Sequence, residues 1–168
     1  MTRLCYISAM LIETAGPRIR LVQPRSFAGL MSLYAANHAR LRQLLGDLHA
    51  LPSTLVSNSP TDLKIYLKVG TRSRYTTSVR MTYWLNVNGG WCRTPDLELR
   101  IYHDARLVEA LNCHAQPSAA GADRNAAAPR SELLRRWNLN MLLHKWLEHC
   151  LDHRHCFAMS QAQLAGVA

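Results

Sequence analysis

His103, Asp104 and Glu109 are the residues whose types and spacing could support acid–base chemistry in this chain. The segments 97–103 and 107–113 alternate like strands, and a turn at Asp104 would pair them. By that alternation, His103 and Glu109 share the apolar face and could lie side by side. A carboxylate beside an imidazole fixes its tautomer and raises its pKa, as general acid–base catalysis often requires. The alternative is structural, since Asp104 suits a turn and the other two could simply satisfy each other.

A second group of residues could bind anions. The even-numbered positions of the predicted strands carry basic side chains interleaved with aromatic ones. Basic groups pair with phosphates and aromatic rings stack on bases, so this face could bind nucleic acid or a nucleotide. The candidate binding residues are Arg74, Tyr75, Arg80, Arg100 and Tyr102. The alternative is the ordinary solvated face of a half-buried antiparallel sheet.

Metal-ligating residue types are concentrated near the end of the last predicted helix. They are His144, His149, Cys150, His153, His155 and Cys156. Cysteine and histidine suit zinc, but Cys150 belongs to an apolar stripe and no second ligand pair has zinc-finger spacing. Cationic side chains at a helix end also complement the helix dipole. We therefore predict no metal site and no cofactor.

Composition limits the classes of protein that remain. The 168 residues include 20 Lys and Arg against 11 Asp and Glu, a net charge of +9, which favours acidic partners. Hydrophobic residues make up 48%, a globular composition, and no apolar run reaches the roughly 20 residues of a membrane span. Five widely spaced cysteines without a C-x-x-C pair favour a reducing cytoplasm. No P-loop, G-x-S-x-G or G-x-G-x-x-G motif is present, which favours a protein that is not an enzyme.

Two amphipathic helices and four strands must position these residues. The first helix is predicted to follow an N-cap at Ser26 and to end at Gly46 or Pro52, and the last to run from an N-cap at Ser131 to His153. Alternation predicts strands over 63–69, 74–85, 97–103 and 107–113. Short connections make the strands an antiparallel meander, and the fold class is α+β. We expect both helices to pack on one sheet face, the odd-numbered one.

The same patterns divide the chain. Residues 1–25 are predicted to be a disordered extension, because prolines interrupt every regular pattern there. A single domain spans 26–155, with a mobile Ala-rich loop at 114–131. Residues 156–168 are predicted to be a tail.

Three segments together resemble a known family. They are Arg74-Tyr75-Thr76-Thr77; residues 99–105 with Glu109; and Asn138-Leu139-Asn140 leading into 145–151. Their order and spacing resemble the YqiB-like proteins of gamma-proteobacteria, a family of unknown function, over residues 25–155. The chain departs from that family at 115–129, which is Ala-rich where a basic, aromatic stretch is usual. The resemblance implies a soluble, cytoplasmic bacterial protein and brings no activity with it.

Three functional hypotheses follow. The first is a non-enzymatic cytoplasmic protein that binds an anionic partner, nucleic acid or nucleotide, through the basic sheet face. The second is a small enzyme that uses His103 with Glu109 or Asp104. The third is an adaptor that anchors a protein partner through Trp84, Trp91 or Trp137, since tryptophan is enriched at binding hot spots. None of the three requires a membrane.

Overall fold

The computed structural model describes residues 25–87, 89–114 and 129–159. The predicted extension 1–25 lies almost entirely outside these ranges, as do most of the Ala-rich loop and most of the predicted tail. The elements, in chain order, are α1 (Phe27–Leu45), β1 (Thr54–Asn58), β2 (Ile65–Arg72), β3 (Thr76–Val87), β4 (Gly90–Tyr102), β5 (Leu107–Cys113), α2 (Pro129–Asp152) and β6 (Cys156–Met159). The class is α+β, as the sequence predicts.

The sheet has six antiparallel strands in the order β5-β4-β3-β2-β1-β6, so the predicted count of four is wrong. The four predicted strands are present as β2 to β5. β1 lies between the first predicted helix and the first predicted strand, where the sequence predicts no strand, and β6 falls in the residues predicted to open the tail. These two strands pair with each other, with Ser57 opposite Phe157. β6 has no local signal, because its partner lies about a hundred residues away, whereas β1 also pairs with its neighbour in the chain, β2.

Alternation along β2, β3 and β4 builds the core. The inward-facing positions are apolar and buried, and they register across the strands, as in Leu67 opposite Met81 and Met81 opposite Leu97. Helix side chains join the same buried cluster, Leu41 from α1 and Leu143, Trp146 and Leu147 from α2. Burial of this apolar surface, worth about 25 cal/mol per Å², is the main force that holds the sheet and helices together.

The ends of α1 agree with the sequence. The Ser26 side chain accepts a hydrogen bond from the Gly29 backbone N–H at 3.0 Å, which caps the helix. Gly46 ends it with φ of 77°, a left-handed conformation that glycine adopts without steric cost. The N-cap predicted for α2 is wrong, because that helix already begins at Pro129 and Ser131 lies inside it. Proline suits a first helical position, where a backbone N–H would have no partner within the helix.

The facing predicted for β5 is also wrong. Leu99 lies opposite Ala110 and Ile101 opposite Val108, so the even-numbered residues of β5 face the core. The turn between β4 and β5 has four residues, since Tyr102 pairs with Leu107. When a turn has an even number of residues, each odd-numbered residue of one strand lies opposite an even-numbered residue of the other, and these two share a face of the sheet. Glu109 therefore lies opposite Arg100, on the outward face.

Buried amides hold the edge strand β5 to the helices. The Asn140 side chain of α2 accepts a hydrogen bond from the Ala110 N–H at 2.8 Å and donates one to the Ala110 carbonyl at 3.3 Å. Asn37 of α1 donates to the Asn140 carbonyl at 3.2 Å, and its own oxygen lies 3.0 Å from His144 Nδ1. All three side chains are buried, so each polar group needs such a partner.

Candidate functional site

The outward face of the sheet carries the exposed cations. Lys68 lies opposite Arg80, and Arg100 is two residues beyond Glu98, which is the β4 partner of Arg80. The side chains of Lys68 and Arg100 are exposed, while Arg80 is half-buried. Alternation alone explains their common direction, because residues two apart on a strand share a face.

The carboxylates on this face are each engaged by neighbours. Asp96 is buried and its Oδ1 lies 3.2 Å from Arg80 Nε. Glu98 accepts a hydrogen bond from Asn112 at 3.3 Å. Glu109 is buried and is bound by groups from both helices, as described below. The face therefore presents exposed Lys68 and Arg100 beside one partly exposed carboxylate, that of Glu98, whose side chain is 39% exposed.

Aromatic side chains extend the same face along the β3–β4 hairpin. Trp84 pairs with Arg93, whose guanidinium lies 4.7 Å from the indole ring centroid, a cation–π contact. Trp91, opposite Asn86, is 64% exposed, and Tyr66 on β2 is 36% exposed. Tyr66 and Trp84 belong to the even-numbered face on which the sequence predicts aromatic residues among basic ones, and Trp84 and Trp91 are also candidate anchors for a protein partner. Trp137, the third candidate anchor, is buried in a second core cluster with Leu30 and Leu33.

The five predicted binding residues divide into two groups. Arg80, Arg100 and Tyr102 lie on the outward face of β3 and β4. Arg74 and Tyr75 lie in the turn that precedes β3, where the Arg74 guanidinium is 5.2 Å from the Tyr75 ring centroid. Both turn residues are exposed. The Tyr102 hydroxyl is committed to Glu109 at 3.1 Å, which makes it a structural group.

The predicted acid–base group is not assembled. His103 continues the inward side of β4, whereas Glu109 lies on the outward face, because β5 has the opposite facing from that predicted. Asp104 is exposed in the turn between them. The hypothesis that His103 and Glu109 lie side by side is therefore wrong.

Glu109 instead joins both helices to the sheet edge. Its Oε1 accepts hydrogen bonds from the Tyr34 hydroxyl of α1 and from Arg136 Nη1 of α2, both at 2.9 Å. The Tyr102 hydroxyl donates to Oε2. Burial, followed by the hydrogen bond to Glu109, raises the pKa of Tyr34. These three hydrogen bonds engage both carboxylate oxygens of Glu109 in structural contacts.

His103 has different neighbours, which the sequence did not indicate. Its Nε2 lies 2.8 Å from the hydroxyl oxygen of Thr77, and its ring stacks on that of His49 with 3.9 Å between centroids. Burial first, and then the nearby His49, lower the pKa of His103. His38 on α1 lies close to both imidazoles. Its pKa is lowered first by burial, then by Arg42 and Arg106, and to a smaller extent by His103 and His49.

Asp62 gathers a second set of polar side chains that sequence reasoning missed. Its Oδ2 is 2.9 Å from His149 Nε2, 2.9 Å from His155 Nε2 and 2.5 Å from the Tyr83 hydroxyl. These hydrogen bonds outweigh the desolvation of the carboxyl and lower its pKa to about 2. Ser57 is the fifth member and binds His155 Nδ1 at 2.9 Å. The five residues come from separate segments of the chain and meet only in the folded structure, so no spacing in the sequence could have revealed them.

Ser57, His155 and Asp62 are hydrogen-bonded in the order of a catalytic triad, but a substrate could not reach the serine hydroxyl. Ser57 and His155 are buried, and the Ser57 oxygen also accepts the Ile65 N–H at 2.8 Å. A nucleophile needs an approach for its substrate, which a fully buried hydroxyl does not give. The cluster therefore fastens β1, β6 and the end of α2 to the loop at Asp62.

Of the six His and Cys residues near the end of α2, His149 and His155 meet at Asp62 and His149 also contacts the His153 ring, whereas Cys150 and His144 lie elsewhere. Cys150 is in the core, where burial raises its thiol pKa, and His144 points to Asn37. Within residues 25–87, 89–114 and 129–159, no three His, Cys, Asp or Glu side chains are arranged to hold a metal ion. Neither of the two described helices is long and apolar enough to cross a membrane.

Comparison with known proteins identifies a family without an activity. No curated protein and no solved structure matches this chain. One family, described as "Protein of unknown function (DUF1249)", matches residues 40–156. The match covers β1 to β5, α2, the first residue of β6 and the end of α1. The resemblance found in the sequence pointed to a family of unknown function, and that much is confirmed. The chain belongs to the DUF1249 family of proteins of unknown function.

Proposed function

We propose that this protein is a non-enzymatic, single-stranded nucleic-acid-binding protein. The observation that carries the proposal is the outward sheet face, where exposed Lys68 and Arg100 accompany exposed aromatic rings. Two carboxylates of that face, Asp96 and Glu109, are ion-paired with arginines. Proteins that bind single strands combine a basic surface with aromatic platforms for the bases. The net charge of +9 adds long-range attraction for a polyanion.

The arrangement of the aromatic residues favours a single strand over a duplex. Trp91 and Tyr66 offer exposed rings on which unpaired bases can stack. The ring of Trp84 already carries the Arg93 guanidinium, which leaves that cation positioned for a phosphate. Stacked bases in a duplex do not present their faces to a protein, so a duplex would use only the cations.

The two alternative functions, an enzyme and a protein adaptor, have less structural support. An enzyme that uses His103 with Glu109 has lost its geometric basis, because the two residues lie on opposite faces of the sheet. An adaptor that binds a protein partner has one observation in its favour, the exposure of Trp91. Arg93, two residues from Trp91 on the same strand face, favours an acidic partner in either case.

The test is fluorescence anisotropy with a labelled single-stranded RNA of about 12 nucleotides at low salt. The double variant K68Q/R100Q is expected to bind at least about tenfold more weakly. The variant R25Q/R154Q is the matched control, since it removes two exposed cations from the segments before α1 and after α2. Trp91→Ala should weaken binding by about 1–3 kcal/mol if a base stacks there. Absence of binding by the wild-type protein would overturn the proposal. Unaltered binding by W91A would show that no base stacks on Trp91.

We also propose a more specific family relationship and a cellular location. Within the family of unknown function, the three segments that include Arg74, residues 99–105 and Asn140 support a relationship to the YqiB-like proteins of gamma-proteobacteria. A cytoplasmic location is supported by the four described cysteines, none of which forms a disulfide.

A further inference from the structure

The stack of His49 on His103 brings the loop after α1 against the turn between β4 and β5. His38 lies close enough to these rings, and to Arg42 and Arg106, for all four to lower its pKa. His38 and Arg42 lie in the second half of α1, and His49 lies in the loop that follows. His103 and Arg106 lie in the turn between β4 and β5. His103 belongs to the inward side of β4, so this cluster is separate from the outward face that carries Arg100.

We propose that this cluster, His38, His49, His103, Arg42 and Arg106, binds a tetrahedral dianion of the phosphate monoester class. The inference does not rest on the nucleic-acid proposal, because it uses none of the same residues. It rests on the number of nitrogen donors brought together here and on the charges that surround them.

The contacts of His103 suit a residue that becomes protonated when an anion binds. The Thr77 hydroxyl, 2.8 Å from Nε2, donates a hydrogen bond to a neutral imidazole and accepts one from an imidazolium. His103 can therefore gain a proton without losing this partner. The His49 ring stacks on it with an interplanar angle of 25°, which holds both rings in place.

Once its histidines are protonated, the cluster carries a net positive charge. The charged groups facing it are Arg42 from α1, Asp47 from the loop, and Asp104 and Arg106 from the turn. Two guanidiniums and two carboxylates balance, so each protonated imidazole adds an uncompensated positive charge. Asp47 is moreover engaged by the His49 backbone N–H at 2.9 Å. After burial, Arg42 and Arg106 lower the pKa of His38 further. The pKa of His103 is lowered by burial and by His49, and Asp47 and Asp104 oppose that shift.

A bound dianion would supply the missing counter-charge. It would accept hydrogen bonds from arginine and imidazolium N–H groups, which are short and strong because both partners are charged. A metal cation fits the same place poorly, since the two guanidiniums would repel it. A phosphate monoester has its second pKa near about 6, so its dianion and protonated histidines coexist in mildly acidic solution.

The first test uses sulfate, whose charge does not change in the range where histidine titrates. Imidazole NMR shifts of the full-length protein are followed against pH in sodium sulfate and in sodium chloride of equal ionic strength. We expect the titration midpoints of His38 and His103 to be higher in sulfate and sulfate binding to tighten as the pH falls. Equal midpoints in the two salts would overturn the proposal. Buried His144 serves as the internal reference that should not respond to sulfate.

Variants separate this site from the outward face. R42Q/R106Q should lose the sulfate-specific shift, whereas K68Q/R100Q should keep it. Loss of the shift in both variants would show general charge screening and would contradict a site. Both arginines are exposed, so the variant is expected to fold, and urea unfolding checks this. His49→Gln is a second variant, and it should weaken sulfate binding even if the arginine variant is unstable.

Two phosphate compounds distinguish the source of the dianion. Inorganic phosphate and glycerol phosphate are added to the wild-type protein at the pH where sulfate binds best. Binding of both supports a site open to phosphate groups on larger molecules, and binding of inorganic phosphate alone supports a site for the free ion. Failure of both, with sulfate bound, would contradict the phosphate monoester class.

Discussion

The Asn140 side chain binds both the N–H and the carbonyl of Ala110, at 2.8 Å and 3.3 Å, as a neighbouring strand would. Ala110 lies on β5, an edge strand of the sheet. An unpaired edge is a site for unwanted strand pairing, and proteins cover such edges with side chains or helices. One amide of α2 thus protects the edge and fixes the helix along it.

Replacement of Asn140 by alanine should destabilise the protein by about 2–4 kcal/mol, because buried groups of Ala110 would lose their partners. The free energy of unfolding is measured by urea titration. Asn138→Ala is the control, since Asn138 is exposed on the same helix and alanine is a good helix former. Equal stability of the two variants would contradict the edge-capping role.

Replacement of Asp62 by asparagine should remove the anion that His149, His155 and Tyr83 surround. Its carboxyl pKa falls from 3.8 to about 2 on folding, which corresponds to about 2.4 kcal/mol at neutral pH. Because the folded pKa is the lower one, this stability is present above the unfolded pKa. It is lost as the pH falls through about 4 to 2.

The measurement is urea unfolding of D62N at neutral and acidic pH. The variant should be less stable at neutral pH and should lose less stability than the wild type in acid. Asp104→Asn is the control, because Asp104 is exposed in a turn. An acid profile of D62N that parallels the wild type would show that Asp62 is not the titrating group.

His144 should make the protein less stable in mild acid. Burial, with help from nearby Arg40, lowers its pKa from 6.5 to about 4. The unfolded chain therefore binds the proton more tightly, and stability falls as the pH drops from about 6.5 to about 4, by up to about 3 kcal/mol.

His144→Asn tests this dependence, because the asparagine amide nitrogen can still donate to Asn37. The slope of unfolding free energy against pH should flatten in that range, leaving the contribution of His149, whose pKa burial also lowers. His114→Asn removes an exposed histidine and should leave the slope unchanged. A slope unaffected by H144N would contradict the buried neutral state of His144.

Sequence reasoning succeeded where the signal was local. Ser26 and Gly46 mark the ends of α1 because capping depends on residues within a turn of each other. Strands β2 to β5 follow from alternation and hairpin turns. The facing of β5 failed because it depends on the length of one turn, and a change of one residue moves Glu109 from one face to the other.

The polar clusters were beyond sequence reasoning for a related reason. Ser57, Asp62 and His155 meet because β6 returns to pair with β1, a contact that no local pattern specifies. His49 reaches His103 through a loop without periodicity. The outward cations could be predicted because they lie on strands whose alternation was correct.

Binding of a nucleic acid to the outward face through Lys68 and Arg100 is tested most directly by the salt dependence of binding to a single-stranded oligonucleotide. The proteins compared are wild type, K68Q/R100Q and the control R25Q/R154Q, which removes two exposed cations elsewhere. Each phosphate contact contributes about 0.7 to the slope of log K against log salt, so K68Q/R100Q should lower the slope by about 1.4. The slope of R25Q/R154Q should equal that of the wild type. Equal slopes in all three proteins would contradict binding through Lys68 and Arg100.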